Sequence, residues 1–173
     1  PKDIILKGKS SDKQYPSCLL CKENVGYNGR STGVGRTNHR IVPVTLNNEP
    51  FYLQYSPYVY YNEHCIVLHK EHIPMNVQKS TFIRLFDFVD QFPHYFLGSN
   101  AGLPIVGGSI LSHEHYQGGR HTFPIEHAKV LSTFTVDNTT FEQLYWPLSV
   151  LRLRSKNRAE LIEHAYKLFL FWE

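Results

Sequence analysis

Three polar side chains recur at every second position in His113-Glu-His115-Tyr-Gln117. On a β-strand such residues project to one side, so two imidazoles and an amide would form a polar row. That row is a poor surface to bury in an apolar core. A neutral imidazole near pH 7 is a nucleophile, a proton carrier or a metal ligand. Glycine pairs flank the row, and Gly107-Gly108 upstream lets backbone N–H groups approach a ligand closely. Anionic oxygens are the ligands such groups suit best. The pattern therefore predicts a phosphate-holding loop that delivers a substrate to a nucleophilic or metal-binding histidine.

A second cluster lies at Cys18-Leu-Leu-Cys21. A Cys-x-x-Cys turn can place both thiolates on one zinc ion, with two ligands still to come from elsewhere. A redox role needs a thioredoxin-like strand before the motif and a helix after it, and neither is evident. Two thiols in a loop is the remaining reading, and zinc ranks first. His72 reads by itself as a surface histidine and gains interest because the cysteine pair is short of ligands. Cys65, inside an apolar run, reads as a buried inert thiol. Arg36 and Arg40 could reach a phosphate, although each alone reads better as a solvated surface residue.

These residues need elements to hold them. His39 to Leu46, Phe51 to Tyr55 and Tyr58 to His69 are strand candidates, with Asn47-Asn48 as a turn. The sheet is expected to be antiparallel and built from hairpins. Phe82, Leu85, Phe86, Val89 and Phe92 recur at helical spacing and predict a helix from near Ser80 to Pro93. Tyr95-Phe-Leu97 reads as a short strand leading to the glycine loop. Val130 to Val136 and Leu148 to Leu153 add β pattern. Asn157 can cap a last helix, with Glu160 at the capping-box position.

Composition sets the bounds. The chain has 173 residues, with 42% hydrophobic, 19% charged and 14% aromatic residues. This is enough for one domain with a ring-rich core. The net charge of +3 comes from scattered basic residues, which speaks against nucleic acid. No apolar run reaches the roughly 20 residues that span a bilayer. Three cysteines without an apolar leader fit a reducing, cytoplasmic setting better than a disulfide framework. The apolar end Leu168-Phe-Leu-Phe-Trp172 leads to the expectation that the chain is a piece of a longer protein.

The string His113-Glu-His115-Tyr-Gln117 resembles the His-x-His-x-Gln motif of galactose-1-phosphate uridylyltransferases, in the histidine-triad superfamily. Asn100 to Gly119, with Tyr58-Val-Tyr-Tyr-Asn-Glu-His-Cys65 upstream, resembles the Gram-positive-type (class II) subgroup. The resemblance runs from about Tyr15 to Leu153. It implies an α+β fold: a histidine-triad-like, mainly antiparallel sheet with a packed helix, followed by a strand and helix that open a second half. The implied divisions are an N-terminal loop region with the Cys-x-x-Cys over 1–38, a catalytic domain over 39–145 and a truncated second half over 146–173.

By the same resemblance, His115 is the nucleophile that takes UMP from UDP-glucose and passes it to galactose 1-phosphate. A backbone carbonyl near His113 would fix its tautomer. Gln117 would hydrogen-bond phosphate oxygens, since an amide cannot donate a catalytic proton. Asn100, Gly107, Gly108 and Ser109 match the family's phosphate loop, with Ser112 as a rival to Ser109. Glu114 replaces a frequent proline and should face the opposite side. Cys18, Cys21, His72 and His113 would form a structural zinc site, with His69 and His64 as rivals to His72. The Asn-Asp pair that contacts uridine in the better-known subgroup has no counterpart around Tyr55-Ser-Pro-Tyr58. A homodimer is an allowed assembly. The competing functions are a histidine-triad nucleotide hydrolase or dinucleotide phosphorylase, and a zinc-stabilised nucleotide-binding domain without turnover.

Overall fold

The computed structural model describes residues 16–29, 35–102, 105 and 108–172. Five strands form the first sheet: β1 (Val42–Leu46), β2 (Glu49–Tyr55), β3 (Cys65–His69), β4 (Phe96–Ser99) and β5 (His115–Gly119). Their spatial order is β1-β2-β3-β5-β4, and every pairing is antiparallel. The β1–β2 hairpin turns at Asn47 and Asn48, with φ of 52° and 60°. Asparagine tolerates that left-handed region, which a two-residue hairpin requires at both positions.

The helix α1 (Lys79–Gln91) packs on one face of this sheet. Its N-terminus is closed by the Gln78 N–H donating to Thr81 Oγ1 at 3.2 Å and the Thr81 N–H donating to the Gln78 carbonyl at 2.9 Å. The covered face is apolar: Val44, Leu46, Phe51, Leu53, Val67 and Tyr116 are buried with Phe88 of the helix. Burying a side chain such as Phe88 is worth about 1.5–3 kcal/mol. Register then places alternate residues on the other face. Ile66 lies opposite both Gln54 and Gln117, and Leu68 lies opposite His115.

A buried cation ties helix to sheet. Arg84 reaches Glu49 at 2.6 Å, Glu114 at 3.3 Å and the Tyr116 hydroxyl at 3.1 Å. Tyr116 donates to Glu114 at 2.6 Å, and the Asn76 N–H donates to the same carboxylate at 3.0 Å. Glu114 therefore faces away from His115, as expected from the period of two.

A second sheet comprises β6 (Val130–Val136), β7 (Thr139–Leu144) and β8 (Leu151–Ser155), in that order. The helix α2 (Arg158–Trp172) follows it. Asn157 caps α2 through hydrogen bonds from the backbone N–H groups of Ala159 and Glu160, at 3.1 and 3.3 Å. Arg158 binds Asp90 at 2.6 Å and also pairs with Asp87, and Phe82 meets Phe169 at 6.1 Å, so α2 docks on α1. Strand β7 was not anticipated, although its alternating burial and the Asp137-Asn138 turn before it are a hairpin signal. Pairing of β6 and β7 with β8 puts strands on both sides of residue 146 into one sheet. Among the described residues, no helix is long and apolar enough to cross a membrane.

The expected long strand Tyr58 to His69 is corrected: only Cys65–His69 is extended. The preceding residues form a closed loop, in which the Ser56 N–H donates to His64 at 2.9 Å and the Tyr60 N–H to Tyr58 at 2.9 Å. Glu63 takes a φ of 54° to complete it. Aromatic and β-branched residues mimic a strand here, but several backbone bonds close locally, and the Asn62 carbonyl accepts from the Arg120 N–H at 3.1 Å outside any ladder.

Candidate active site and metal centre

His115 and Gln117 stand on β5, on the sheet face that α1 leaves open. His113 is not on that strand; it lies in the turn before it. The expected row of three is thus a pair plus a residue bound elsewhere. His115 is only 2% exposed and lines a cleft with Gln117, Gln54, His64, Arg36 and Ser109. Its Nδ1–H donates to the backbone carbonyl of His113 at 2.7 Å. That bond fixes the tautomer and leaves Nε2 with its lone pair. Burial lowers the readiness of His115 to take a second proton and holds it below the usual imidazole range.

Asn100 sits at the end of β4, which pairs with β5. Its Nδ2 lies 3.0 Å from His115 Nε2, and its Oδ1 accepts from Gln117 Nε2 at 2.9 Å. Asn100 therefore meets His115 Nε2 directly, and Gln117 is joined to it through Asn100. Ser109 lines the same cleft, whereas Ser112 does not, which favours Ser109 of the two rivals. Gly108 is part of the adjoining loop, and Gly107 lies outside the described residues. The glycine after Gln117 has a steric cause: a Cβ on Gly118 would come within 2.6 Å of the Phe96 carbonyl oxygen. Only glycine lets β5 lie this close to β4.

Three further residues of the cleft, His64, Gln54 and Arg36, were not placed there by the sequence, although Arg36 was weighed as a phosphate contact and His64 as a rival metal ligand. His64 was concealed by the false strand. Gln54 is buried inside an apolar strand, with the His39 ring as a polar neighbour. A lone amide in Phe51-Tyr-Leu-Gln-Tyr55 is the signal that marked it. Arg36, read as a surface residue, lines the cleft with its Nε buried and unpartnered, while Arg40 stays exposed on Thr37 and His39 carbonyls. A buried, unpartnered guanidinium donor in the cleft suits a polar ligand.

The second cluster assembles from three segments. Cys18 Sγ lies 3.5 Å from Cys21 Sγ and 3.2 Å from His113 Nδ1. Cys21 Sγ lies 3.1 Å from His72 Nδ1 and 3.8 Å from His113 Nδ1. All four ligand atoms fall within 4.8 Å of one another. A tetrahedron built on metal–sulfur bonds of about 2.3 Å and metal–nitrogen bonds of about 2.0 Å has edges of about 3.3–3.8 Å. The donor set fits such an ion. His113 Nε2–H donates to the His69 carbonyl at 2.8 Å, which turns Nδ1 toward the cysteines. Burial, reinforced by the neighbouring Cys18, pushes the Cys21 thiol up to about 12, so a bound cation would be needed to hold it as thiolate. His69 and His64 stay out of the cluster: His69 accepts from the Glu71 N–H at 3.0 Å, and His64 faces the cleft. Cys65 is fully buried with its thiol raised to about 11 by burial, which makes it inert.

Comparison with known proteins shows what the chain is similar to. Residues 1–74 match the family described as galactose-1-phosphate uridyl transferase, N-terminal domain. A galactose-1-phosphate uridylyltransferase of Caldanaerobacter subterraneus is 54% identical over 100% of the chain and 34% of its own length. One of Butyrivibrio fibrisolvens is 52% identical over 99% of the chain and 45% of its own length. One of Bacillus subtilis is 49% identical over 100% of the chain and 34% of its own length. The chain thus spans a third to under half of these relatives. No solved structure matches it.

Proposed function

We propose that this chain, which is similar along its whole length to galactose-1-phosphate uridylyltransferases, carries the nucleophile-bearing part of an enzyme moving UMP from UDP-glucose to galactose 1-phosphate. The observation that carries this reading is the tautomer of His115. With Nδ1–H tied to the His113 carbonyl, Nε2 keeps its lone pair, which the Asn100 amide meets at 3.0 Å until a substrate takes its place. In the first step Nε2 forms a bond to the α-phosphorus of UDP-glucose. The bond from that phosphorus to the bridging oxygen breaks, and its electron pair leaves with glucose 1-phosphate. In the second step a phosphate oxygen of galactose 1-phosphate attacks the same phosphorus, and the P–N bond breaks to regenerate the imidazole. Two displacements on one nucleophile give ping-pong kinetics.

Gln117 supports transfer over hydrolysis. Its amide can hold a phosphate oxygen but has no proton to give a poor leaving group. A sugar phosphate leaves as an anion and needs little protonation. Asn100, Gly107, Gly108 and Ser109 would supply the remaining phosphate contacts, and Arg36 a charge. The residues that recognise the sugar would come from beyond these 173 residues or from a second copy in a homodimer. Free thiols at Cys18, Cys21 and Cys65 suit a cytoplasmic protein.

Zinc is the ion we assign to Cys18, Cys21, His72 and His113. Two thiolates and two imidazoles close a four-coordinate site, so the ion is structural. The residues it joins tie the N-terminal turn to the segment from which His115 takes its carbonyl.

The test is incubation of the gene product with UDP-glucose labelled at the α-phosphorus. The expected result is an acid-labile label on the peptide holding His115 and release of glucose 1-phosphate. Release of free UMP alone would favour the hydrolase reading. Saturable binding without an adduct would favour a domain that binds without turnover. Absence of both binding and label would end the proposal.

A further inference from the structure

Ile110 has a φ of 51° and is the one β-branched residue in the left-handed region among the described residues. The other non-glycine cases are Asn47, Asn48, Glu63 and Asp137. Asparagine and aspartate enter that region with the help of local hydrogen bonds, whereas a β-branched side chain crowds its own backbone there. Glycine or asparagine would fit position 110 with less strain. Neighbouring bonds hold the conformation in place. The His113 N–H donates to the Ile110 carbonyl at 3.1 Å, and the Met75 N–H donates to the Leu111 carbonyl at 2.9 Å. Strain of this kind persists only where the surroundings over-determine the backbone, and it gathers at functional sites.

Core packing does not offset this strain. Ile110 is half-buried and stands apart from the apolar cluster under α1. It lines the cleft of His115 instead, together with Leu19, Pro57 and Tyr60. Leu19 and Tyr60 leave 43% and 72% of their surface uncovered. The cleft thus carries open apolar surface beside the polar groups of His115 and Gln117. That combination suits a ligand with a phosphate at one end and a flat, weakly polar ring at the other. Inorganic phosphate or a sugar phosphate would leave the apolar side wet, and a nucleotide would cover both.

We propose that Ile110 is a specificity-determining residue of this cleft, held in a strained backbone so that its side chain packs against the nucleobase of a bound nucleotide. Asparagine at this position would relax the turn and remove the apolar contact. Strain in the free protein is therefore the counterpart of affinity in the complex. The turn that carries Ile110 ends at His113, whose carbonyl holds His115, so the base contact and the nucleophile share one support. The identity of the base as uracil rests on the uridylyl-transfer reading; the strain and the apolar contact do not.

Thermal melting and calorimetric titration with UMP test it, on the unaltered gene product, Ile110→Asn and Ile110→Val. Ile110→Asn should raise the melting temperature by roughly 2–4 °C, since the left-handed penalty is relieved. The same variant should bind UMP about 10-fold more weakly, since an apolar contact is lost. Ile110→Val keeps the branch and most of the apolar surface, so it should change both readings less. Ribose 5-phosphate lacks the base, and Ile110→Asn should bind it as the unaltered protein does. A lower melting temperature in Ile110→Asn, or failure of that variant to fold, would make Ile110 a packing residue and overturn the proposal. An equal loss of affinity for ribose 5-phosphate would also overturn it. UMP bound equally by the unaltered protein and Ile110→Asn would end this inference alone and leave uridylyl transfer standing. A gene product that binds no UMP in any form would refute uridylyl transfer and this inference together.

Discussion

His115 and His113 are two residues apart, yet the ring of one and the backbone of the other form the bond that orients the site. His115 Nδ1–H donates to the His113 carbonyl at 2.7 Å, while the His113 side chain turns to Cys18 and Cys21. One residue thus serves the Cys–His cluster through its ring and the proposed nucleophile through its carbonyl. Disturbing the cluster should disturb the nucleophile.

Metal removal should show this coupling. Chelation, or Cys18→Ser, is expected to remove bound zinc and lower the melting temperature by roughly 10 °C, since structural zinc contributes folding energy directly. Labelling of His115 should fall in parallel. Metal analysis and melting on the same samples check it, and unaltered metal content in Cys18→Ser would defeat the ligand assignment.

His115→Ala should lower turnover of the gene product by at least about 10³-fold, because no other group can form the covalent intermediate. Melting should change little by comparison. Undiminished turnover would remove His115 from the mechanism.

Gln117→His tests the choice of an amide. A histidine there can donate a proton and so assist water as the acceptor. The variant should release more free UMP from UDP-glucose and transfer less to galactose 1-phosphate, as read by product chromatography. An unchanged product ratio would show that Gln117 does not select the acceptor.

The Arg84 cluster predicts an acid limb of stability. Burial opposes the charge of Glu49, but hydrogen bonds from Arg84 and Asn47 and the guanidinium charge outweigh it and hold the carboxyl below its usual range. The unfolded chain therefore takes up this proton more readily than the folded one. The pair's contribution is complete above the unfolded carboxylate value of about 4.3 and is lost as pH falls through the lower folded value. Glu49→Gln should flatten that limb in denaturation curves taken across it. Arg84→Leu should be more costly, about 3–5 kcal/mol, because it strands Glu114 in the interior.

Gly118→Ala should destabilise the fold by about 1–3 kcal/mol. The obstacle is backbone, the Phe96 carbonyl oxygen at 2.6 Å, and it cannot rotate away. Thermal melting would measure the loss.

Local chemistry made much of this protein legible in its residues alone. The helix over Ser80 to Pro93, the Asn47-Asn48 turn and the Asn157 cap depend on periodicity and on neighbours within a few positions. The pairing of His115 with Gln117 on one face needs only the period of a strand. Resemblance of motif drew Cys18, Cys21, His72 and His113 together, although they are separated by up to 95 positions. Tertiary structure alone decided the rest. It broke the run Tyr58 to Cys65 into a loop because the backbone bonds close locally, and that loop carries His64 into the cleft. It also brought Arg36 and Gln54 to the same wall. Whether a polar side chain ends in solvent or against a nucleophile depends on contacts between distant segments, and no local pattern encodes which segments will meet.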